Sequence, residues 1–453
     1  MTNMNQLKNN LKGGIQLRFF ERLSDTERVC KFERGIYQKA KEDKSFKFYC
    51  LYDKISQPYF LREAYKRVKF NKGASGVDKQ DFEAIEKRGV EIFLQEIATE
   101  LKTFTYKAQA VRRVWIEKAN GKLRPLGIPT IKDRVIQQSC KMVIEPIFEA
   151  DFSPSSHGFR PQENAAKAIQ QIKSNLQIGL TEVYDADLSA YFDTIPHDKM
   201  LKALEERIID HNVLRLIKQW LQSPVWEKGR ITGGQSNSCG TPQGGVISPL
   251  LANVYLNLFD RNVEKQGSIF DKLGIKLVRY ADDFVLMGKR ITEQVKQKVE
   301  ALLTRMGLKL NTEKTKVLDA KSKGGFDFLG FNIRYDWSLY NKGQKYWNVH
   351  PSNKSEKKFR RTISDFLTTK LVRPMKEVVE GLNAKIRGHY NYFKIPKVSY
   401  INRASHEFEH YLRYKLYKYC RRKSQRKCVR YSTSVYEYLT VNYGLLKIET
   451  IAH

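Results

Sequence analysis

The chain has 453 residues, 41% of them hydrophobic, and a formal net charge of +32 from 81 Lys and Arg against 49 Asp and Glu. One core rarely grows beyond roughly 250–300 residues, so two or three domains are expected. The charge excess implies a polyanionic partner, nucleic acid before an anionic membrane surface, and no apolar run reaches the ~18 residues of a membrane span.

Residues 1 to about 50 are polar and Lys-rich, and Leu17, Phe19, Phe20, Leu23 and Val29 mark an amphipathic extension. Leu51 to Val68 has helical periodicity, broken by the loop Phe70 to Asp78 with its two glycines. That loop can carry Lys72 and backbone N–H groups to a phosphate, or simply join two helices. Lys107 to Pro129 reads as an antiparallel hairpin turning at Ala119-Asn-Gly121, which gathers Arg112, Arg113, Lys118, Lys122 and Arg124. By itself such a hairpin is a charged, solvated edge; beside an acidic metal site it would meet a triphosphate. A helix is expected from Lys132 to about Phe148, then a loop from Ser153 to Pro161.

In Glu182 to Asp193, alternation puts Val183, Asp185 and Asp187 on one strand face before the chain bends into a helix carrying Met200, Leu201 and Leu204. A carboxylate at a buried strand end is costly without a compensating cation, which makes Asp187 available as a metal ligand. Cys239 to Phe259 is a turn-rich start to an apolar helix. Gly244 and Gly245 permit close backbone approach there, and Gln243 can hydrogen-bond a ligand.

The centre of the pattern is Lys276 to Gly288, where two apolar runs flank Ala281-Asp282-Asp283 and predict a tight hairpin with the acidic pair at its turn. Adjacent carboxylates repel, no Lys or Arg lies between Ala281 and Val285, and oxygen-only ligands suit Mg²⁺. A solvated acidic turn fits the pair alone equally well. A helix over Val295 to Leu303, a strand ending near Val317 and a hairpin-like element over Gly325 to Arg334 complete an α+β palm with helices on one side of its sheet. Beyond Tyr340, helices are expected over Pro351 to Phe366 and Val378 to Phe393. Arg413 to Arg430 carries nine Lys and Arg and no acidic residue, interleaved with Tyr411, Tyr414, Tyr417 and Tyr419. Cations and rings at helical spacing, with Arg421, Arg422 and Lys423 among them, suit RNA or form a basic solvated face.

Taken in order, these segments resemble group II intron-encoded reverse transcriptases, or maturases, from about Leu51 to Tyr443. Asp187-Leu-Ser-Ala-Tyr-Phe-Asp193 is similar to the first catalytic block, Gly240 to Asn253 to the template and nucleotide block, and Tyr280-Ala-Asp-Asp283 to the second catalytic block. Leu61 to Asp78 resembles the additional N-terminal block with its lid loop, and Leu382 to Phe393 resembles the conserved thumb helix. The resemblance implies an α+β right-hand polymerase, with fingers over 51–180 and, over 181–340, the palm with its catalytic carboxylates and part of the fingers. These follow an N-terminal extension, 1–50, and precede an α-helical thumb or maturase domain, 341–453. It implies two Mg²⁺ ions on Asp187, Asp282 and Asp283, with an RNA template–primer duplex and dNTPs as substrates. Lys118 and Arg124 would hold the triphosphate, and Gln243 would support the incoming nucleotide against its template. Phe192 would crowd a ribose 2′-hydroxyl, and Lys314 would donate a proton to pyrophosphate or serve as a nearby cation. Group II intron RNA, bound to promote splicing and retrohoming, and target DNA are the further implied partners; no membrane is among them.

The departures set their own expectations. The Cys-x-x-Cys nuclease segment that some family members carry at the C-terminus is not seen in this sequence, so cleavage of target DNA by the protein itself is not expected. Six cysteines without such a pair argue against structural zinc and for a reduced compartment, and Met1 to Lys8 has no apolar signal core, so the bacterial cytoplasm or nucleoid is expected. His406 and His410 stand four apart with no third ligand evident, as on a helix surface. Two other functions fit the same blocks: a relative domesticated for host repair or phage defence, and a splicing cofactor without polymerase activity. The second would be expected to have lost a metal carboxylate, and Asp187, Asp282 and Asp283 are all present.

Overall fold

The computed structural model describes residues 23–117, 121, 123–338, 341, 343–423 and 434–449. Among the described residues the first long helix, Asp25–Glu42, opens with a reciprocal cap: Ser24 Oγ accepts the Glu27 N–H at 3.3 Å, and the Glu27 carboxylate accepts the Ser24 N–H at 2.8 Å. Its Val29 and Ala40 are buried in one core with Phe60 and Leu61 of helix Pro58–Phe70 and Val135, Ile136 and Val143 of helix Ile131–Glu149. Residues 25–42, within the expected N-terminal extension, thus share a core with helices of the region expected as fingers. The expected positions Leu17, Phe19 and Phe20 lie outside the described residues.

The strands are β1 (Val111–Glu117), β2 (Leu123–Ile128), β3 (Glu182–Asp187), β4 (Val225–Glu227), β5 (Arg230–Thr232), β6 (Lys276–Tyr280), β7 (Asp283–Gly288), β8 (Lys316–Asp319), β9 (Phe326–Phe328), β10 (Phe331–Trp337) and β11 (Lys345–Pro351). They form three sheets, ordered β2-β1-β4-β5 in the fingers, β6-β7-β3-β8 in the palm and β11-β10-β9 beyond it. In the fingers the expected hairpin is present, with Trp115 opposite Pro125; β2 is an edge strand, where a proline leaves no ladder bond unmade.

The palm sheet is antiparallel throughout and buried on both faces. Tyr184, Ala186, Leu277, Phe284 and Leu286 share a core with helix Ser248–Val263, where Phe259 lies 5.1 Å from Phe284. Val183, Val278, Val285 and Met287 share another with helix Ala165–Gln177 and the C-terminal helices. This corrects the expectation of helices on one side only. The unbroken apolar run Phe284 to Met287 reflects that two-sided burial, which removes the usual polar alternation.

β11 lies inside the stretch expected to be purely helical; its Trp347 and Val349 alternate inward and pair with Tyr335 and Ile333. Helices Asn353–Thr369, Met375–Phe393, Asn402–Lys423 and Val435–Tyr443 follow, joined through Leu382, Ile386, Leu412, Leu416 and Leu439. Lys173, buried in helix Ala165–Gln177, ties that helix to the C-terminal helical region through bonds from Nζ to the carbonyls of Lys397 (3.1 Å) and Val398 (2.9 Å). Among the described residues, no helix is long and apolar enough to cross a membrane.

Candidate active site

The β3–β7 register builds the site. Val183 stands opposite Met287, Asp185 opposite Val285 and Asp187 opposite Asp283, so one sheet face runs from apolar to acidic along its length. Tyr280 pairs with Asp283 across the turn Ala281-Asp282, as the hairpin reading expected. Ala281 is left-handed at φ 57°, at the first turn position where a II′-type hairpin requires it. A non-glycine residue there is strained by ~1–2 kcal/mol.

Buried contacts hold that turn in place. Arg279 and Asp260 are both fully buried (0% exposed) and form a two-point pair, with Nε–Oδ1 at 2.8 Å and Nη2–Oδ2 at 2.6 Å. Arg279 Nη1 then donates to the Ala281 carbonyl at 2.9 Å and to Asn253 Oδ1 at 3.0 Å. The loop expected from Ser153 to Pro161 closes the other side: Arg279 N–H donates to Ser155 O (2.8 Å) and His157 N–H to Arg279 O (2.9 Å). Gly158 is the residue that fits there, because a Cβ on it would fall 2.3 Å from Ala281 N. Sequence reasoning missed Arg279, Asp260, Asn253 and Gly158. The available signal was an arginine inside an apolar strand, which needs a buried partner.

Electrostatically the acidic end is under tension. Burial pushes Asp283 up to about 7, with the charges of Asp282, Asp187 and Asp185 adding to it. Solvent reaching its exposed side chain trims that push. Burial also raises Asp185 to about 6 against the opposing pull of Lys316 Nζ at 3.9 Å, and raises Asp282. Lys314 Nζ sits 2.6 Å from Asp187 Oδ2, and that bond raises its own pKa, so it stands as an ammonium. In these side-chain positions no three His, Cys, Asp or Glu among the described residues enclose an ion; the Lys314 ammonium is the cation on Asp187. The donor chemistry nevertheless fits a hard divalent cation: oxygen ligands only, repelling one another, around a counter-charge that is 63% exposed and free to be displaced.

The raised carboxyls make a stability prediction. Above their ordinary pKa near 3.8, the folded protein retains protons that the unfolded chain has released, so this cluster's contribution to stability falls as pH rises toward about 7. Urea midpoints at pH 5 and pH 7.5 without divalent metal should show this, and Asp283→Asn should reduce the fall. A variant with an unchanged pH dependence would mean that Asp283 is not under strain.

Beside the acidic turn, Arg124 Nε donates to Gln243 Oε1 at 2.9 Å, and Gln243 Nε2 donates to both carboxylate oxygens of Asp193 at 3.0 Å. Arg124 also opposes the rise in the Asp282 pKa, placing its charge near the acidic turn. Phe192 is buried (8% exposed) next to Tyr191, whose hydroxyl donates to Ala252 O at 2.6 Å. Lys118 lies outside the described residues. Lys72 is exposed, in a left-handed conformation, on a loop tied to the fingers by Arg112 through Ser75 O and by Arg134 through Ala74 O.

The basic helix divides by face. Tyr414 and Tyr417 are exposed, with Lys418 4.5 Å from the first ring and Arg421 5.7 Å from the second. Arg422 is exposed as well. Tyr411 and Tyr419 turn inward and donate to the carbonyls of Arg360 and Lys370. Lys423, also expected at RNA, turns its ammonium inward to the carbonyls of Leu371 and Arg373.

A right-hand arrangement of fingers, palm and helical thumb, with paired acidic residues at a palm hairpin, defines a template-directed polymerase, and residues 116–333 match the family "Reverse transcriptase (RNA-dependent DNA polymerase)". Residues 356–435 match "Group II intron, maturase-specific domain", and the chain belongs to the group II intron reverse transcriptase and maturase family. It is 35% identical over 348 residues to Protein YkfC of Escherichia coli (strain K12), covering 69% of this chain and 90% of that protein. It is 30% identical over 363 residues to the group II intron-encoded protein LtrA of Lactococcus lactis subsp. cremoris, covering 66% of this chain and 59% of LtrA. Among solved structures it is similar to a chain of the partial Cas6-RT-Cas1--Cas2 complex, at 24% identity and a TM-score of 0.35 over 56% of this chain and 41% of that one.

Proposed function

We propose that this reverse transcriptase copies RNA into cDNA at the end of the β3–β7 ladder, with Asp187, Asp282 and Asp283 holding two Mg²⁺ ions. The single observation that carries the assignment is the register that sets Asp187 opposite Asp283 with Asp282 at the adjoining turn. Bound there, the ions supply activation of the primer 3′-hydroxyl and charge neutralisation for the departing pyrophosphate.

The protein's own part is positioning and charge, which is most of what phosphoryl transfer asks of a protein. Arg124 meets triphosphate oxygens, its planar guanidinium being suited to two-point recognition. Gln243 supports the incoming nucleotide from the turn that also fixes Arg124. Lys314, the ammonium now on Asp187, would be released by a metal held there and would serve as a cation, or a proton donor, for pyrophosphate. The helical C-terminal region holds group II intron RNA and promotes splicing and retrohoming, with the exposed Tyr414, Tyr417, Arg421 and Arg422 as one RNA-facing strip.

Phe192 tests the nucleotide assignment. Its ring, packed 5.5 Å from Tyr191, cannot easily retreat from a ribose 2′-hydroxyl. Phe192→Ala should raise ribonucleotide insertion by roughly 10²-fold relative to dNTP, the scale on which steric pockets discriminate. Competing single-nucleotide insertions measure the ratio, and an unchanged ratio removes Phe192 as the sugar gate.

A further inference from the structure

Asp193 is an exposed carboxylate on the nucleotide side of the site, where a negative charge would repel a triphosphate. Its backbone neighbours are fastened without it: Thr241 N–H donates to Phe192 O (2.6 Å), Gly240 N–H to Ile195 O (2.8 Å) and Gly127 N–H to Gln243 O (2.6 Å). The fold of the 239–243 turn thus does not depend on the Asp193 side chain. What the side chain does is take both of its bonds from the Gln243 amide nitrogen.

The direction of that amide is chemically forced. A carboxylate only accepts and a guanidinium only donates, so Gln243 must turn its nitrogen to Asp193 and its oxygen to Arg124. We propose that Asp193 is a positioning residue that sets the direction of the Gln243 amide, so that Gln243 holds the Arg124 guanidinium in place before a nucleotide arrives. Nucleotide then meets an arginine whose Nε is already anchored, and less freedom is lost on binding. Asparagine at 193 removes the carboxylate's half of the constraint: its amide accepts more weakly and can also donate, so Gln243 keeps its oxygen toward Arg124 only through Arg124 itself and is held less firmly before nucleotide arrives. This role rests on the reading of Arg124 and Gln243 as nucleotide contacts.

Single-turnover insertion of dTTP on a poly(rA) template with a DNA primer separates nucleotide affinity from the maximal rate. Asp193→Asn should weaken dTTP affinity about tenfold, the loss of one charge-assisted constraint, with the maximal rate within about twofold. Asp193→Glu, which keeps the charge, should recover most of the affinity. In a Gln243→Met background, Asp193→Asn should add less than about a twofold effect, since coupled residues are not additive. The role is overturned if Arg124→Ala weakens dTTP binding while Asp193→Asn does not, or if Asp193→Asn acts as strongly without Gln243. If Arg124→Ala leaves affinity unchanged, the nucleotide reading of Arg124 fails and takes this role with it.

Discussion

Asp282→Ala should lose cDNA synthesis by roughly 10³-fold or more, the scale on which removal of one preorganised electrostatic group slows an enzyme. RNA affinity should stay within about twofold, because long-range attraction comes from the whole excess of cations and not from one turn. Folding should survive as well: Asp282 sits among repelling carboxylates, and burial already raises its pKa, so its removal relieves the folded state. Primer extension and filter binding on the same preparation give both numbers. A variant that still extends primers at a tenth of the normal rate would remove Asp282 from the metal site.

Breaking the pair beneath the turn should have the largest effect on stability. Asp260→Ala leaves the Arg279 guanidinium buried without its counter-charge, which typically costs about 3–5 kcal/mol. The same change frees Arg279 Nη1 from a fixed position on the Ala281 carbonyl, so activity should fall along with the urea midpoint. The double variant Arg279→Met with Asp260→Leu separates the two effects. Apolar side chains of similar volume often restore the stability of a lost buried ion pair, but they cannot hold the Ala281 carbonyl. Stability should return and activity should not. If activity returned with stability, the pair would serve the core alone and the turn would hold itself.

The acidic hairpin turn was legible because its geometry is local. A two-residue turn between apolar runs places Asp282 and Asp283 from nearest neighbours alone, and alternation puts Asp187 at the end of a strand face. Asp187 meets Asp283 only through the long-range β3–β7 pairing, which the family resemblance and not the local pattern implied. Their support was not legible, because Asp260, Asn253 and Gly158 reach Arg279 and Ala281 from distant segments, and an arginine in a strand gives no sign of which partner it has found. The second covered face of the palm escaped for a related reason: Val183, Val278, Val285 and Met287 read equally well as one side of a half-exposed sheet until the thumb helices and Ala165–Gln177 are set against them. β11 was hidden by composition, since Lys345 to Pro351 mixes aromatic and polar residues without a clean apolar alternation and leads directly into a helical pattern. Asp193 was visible as the last residue of an acidic block, but only its bond to Gln243, fifty positions away, gives it something to do.

Primer extension on an RNA template with an annealed DNA primer, dNTPs and Mg²⁺ tests the central claim most directly. Full-length cDNA that needs the divalent metal is the expected result. Tight RNA binding with no extension, at any Mg²⁺ concentration, would contradict the proposed polymerase site and leave the protein as an RNA-binding splicing factor.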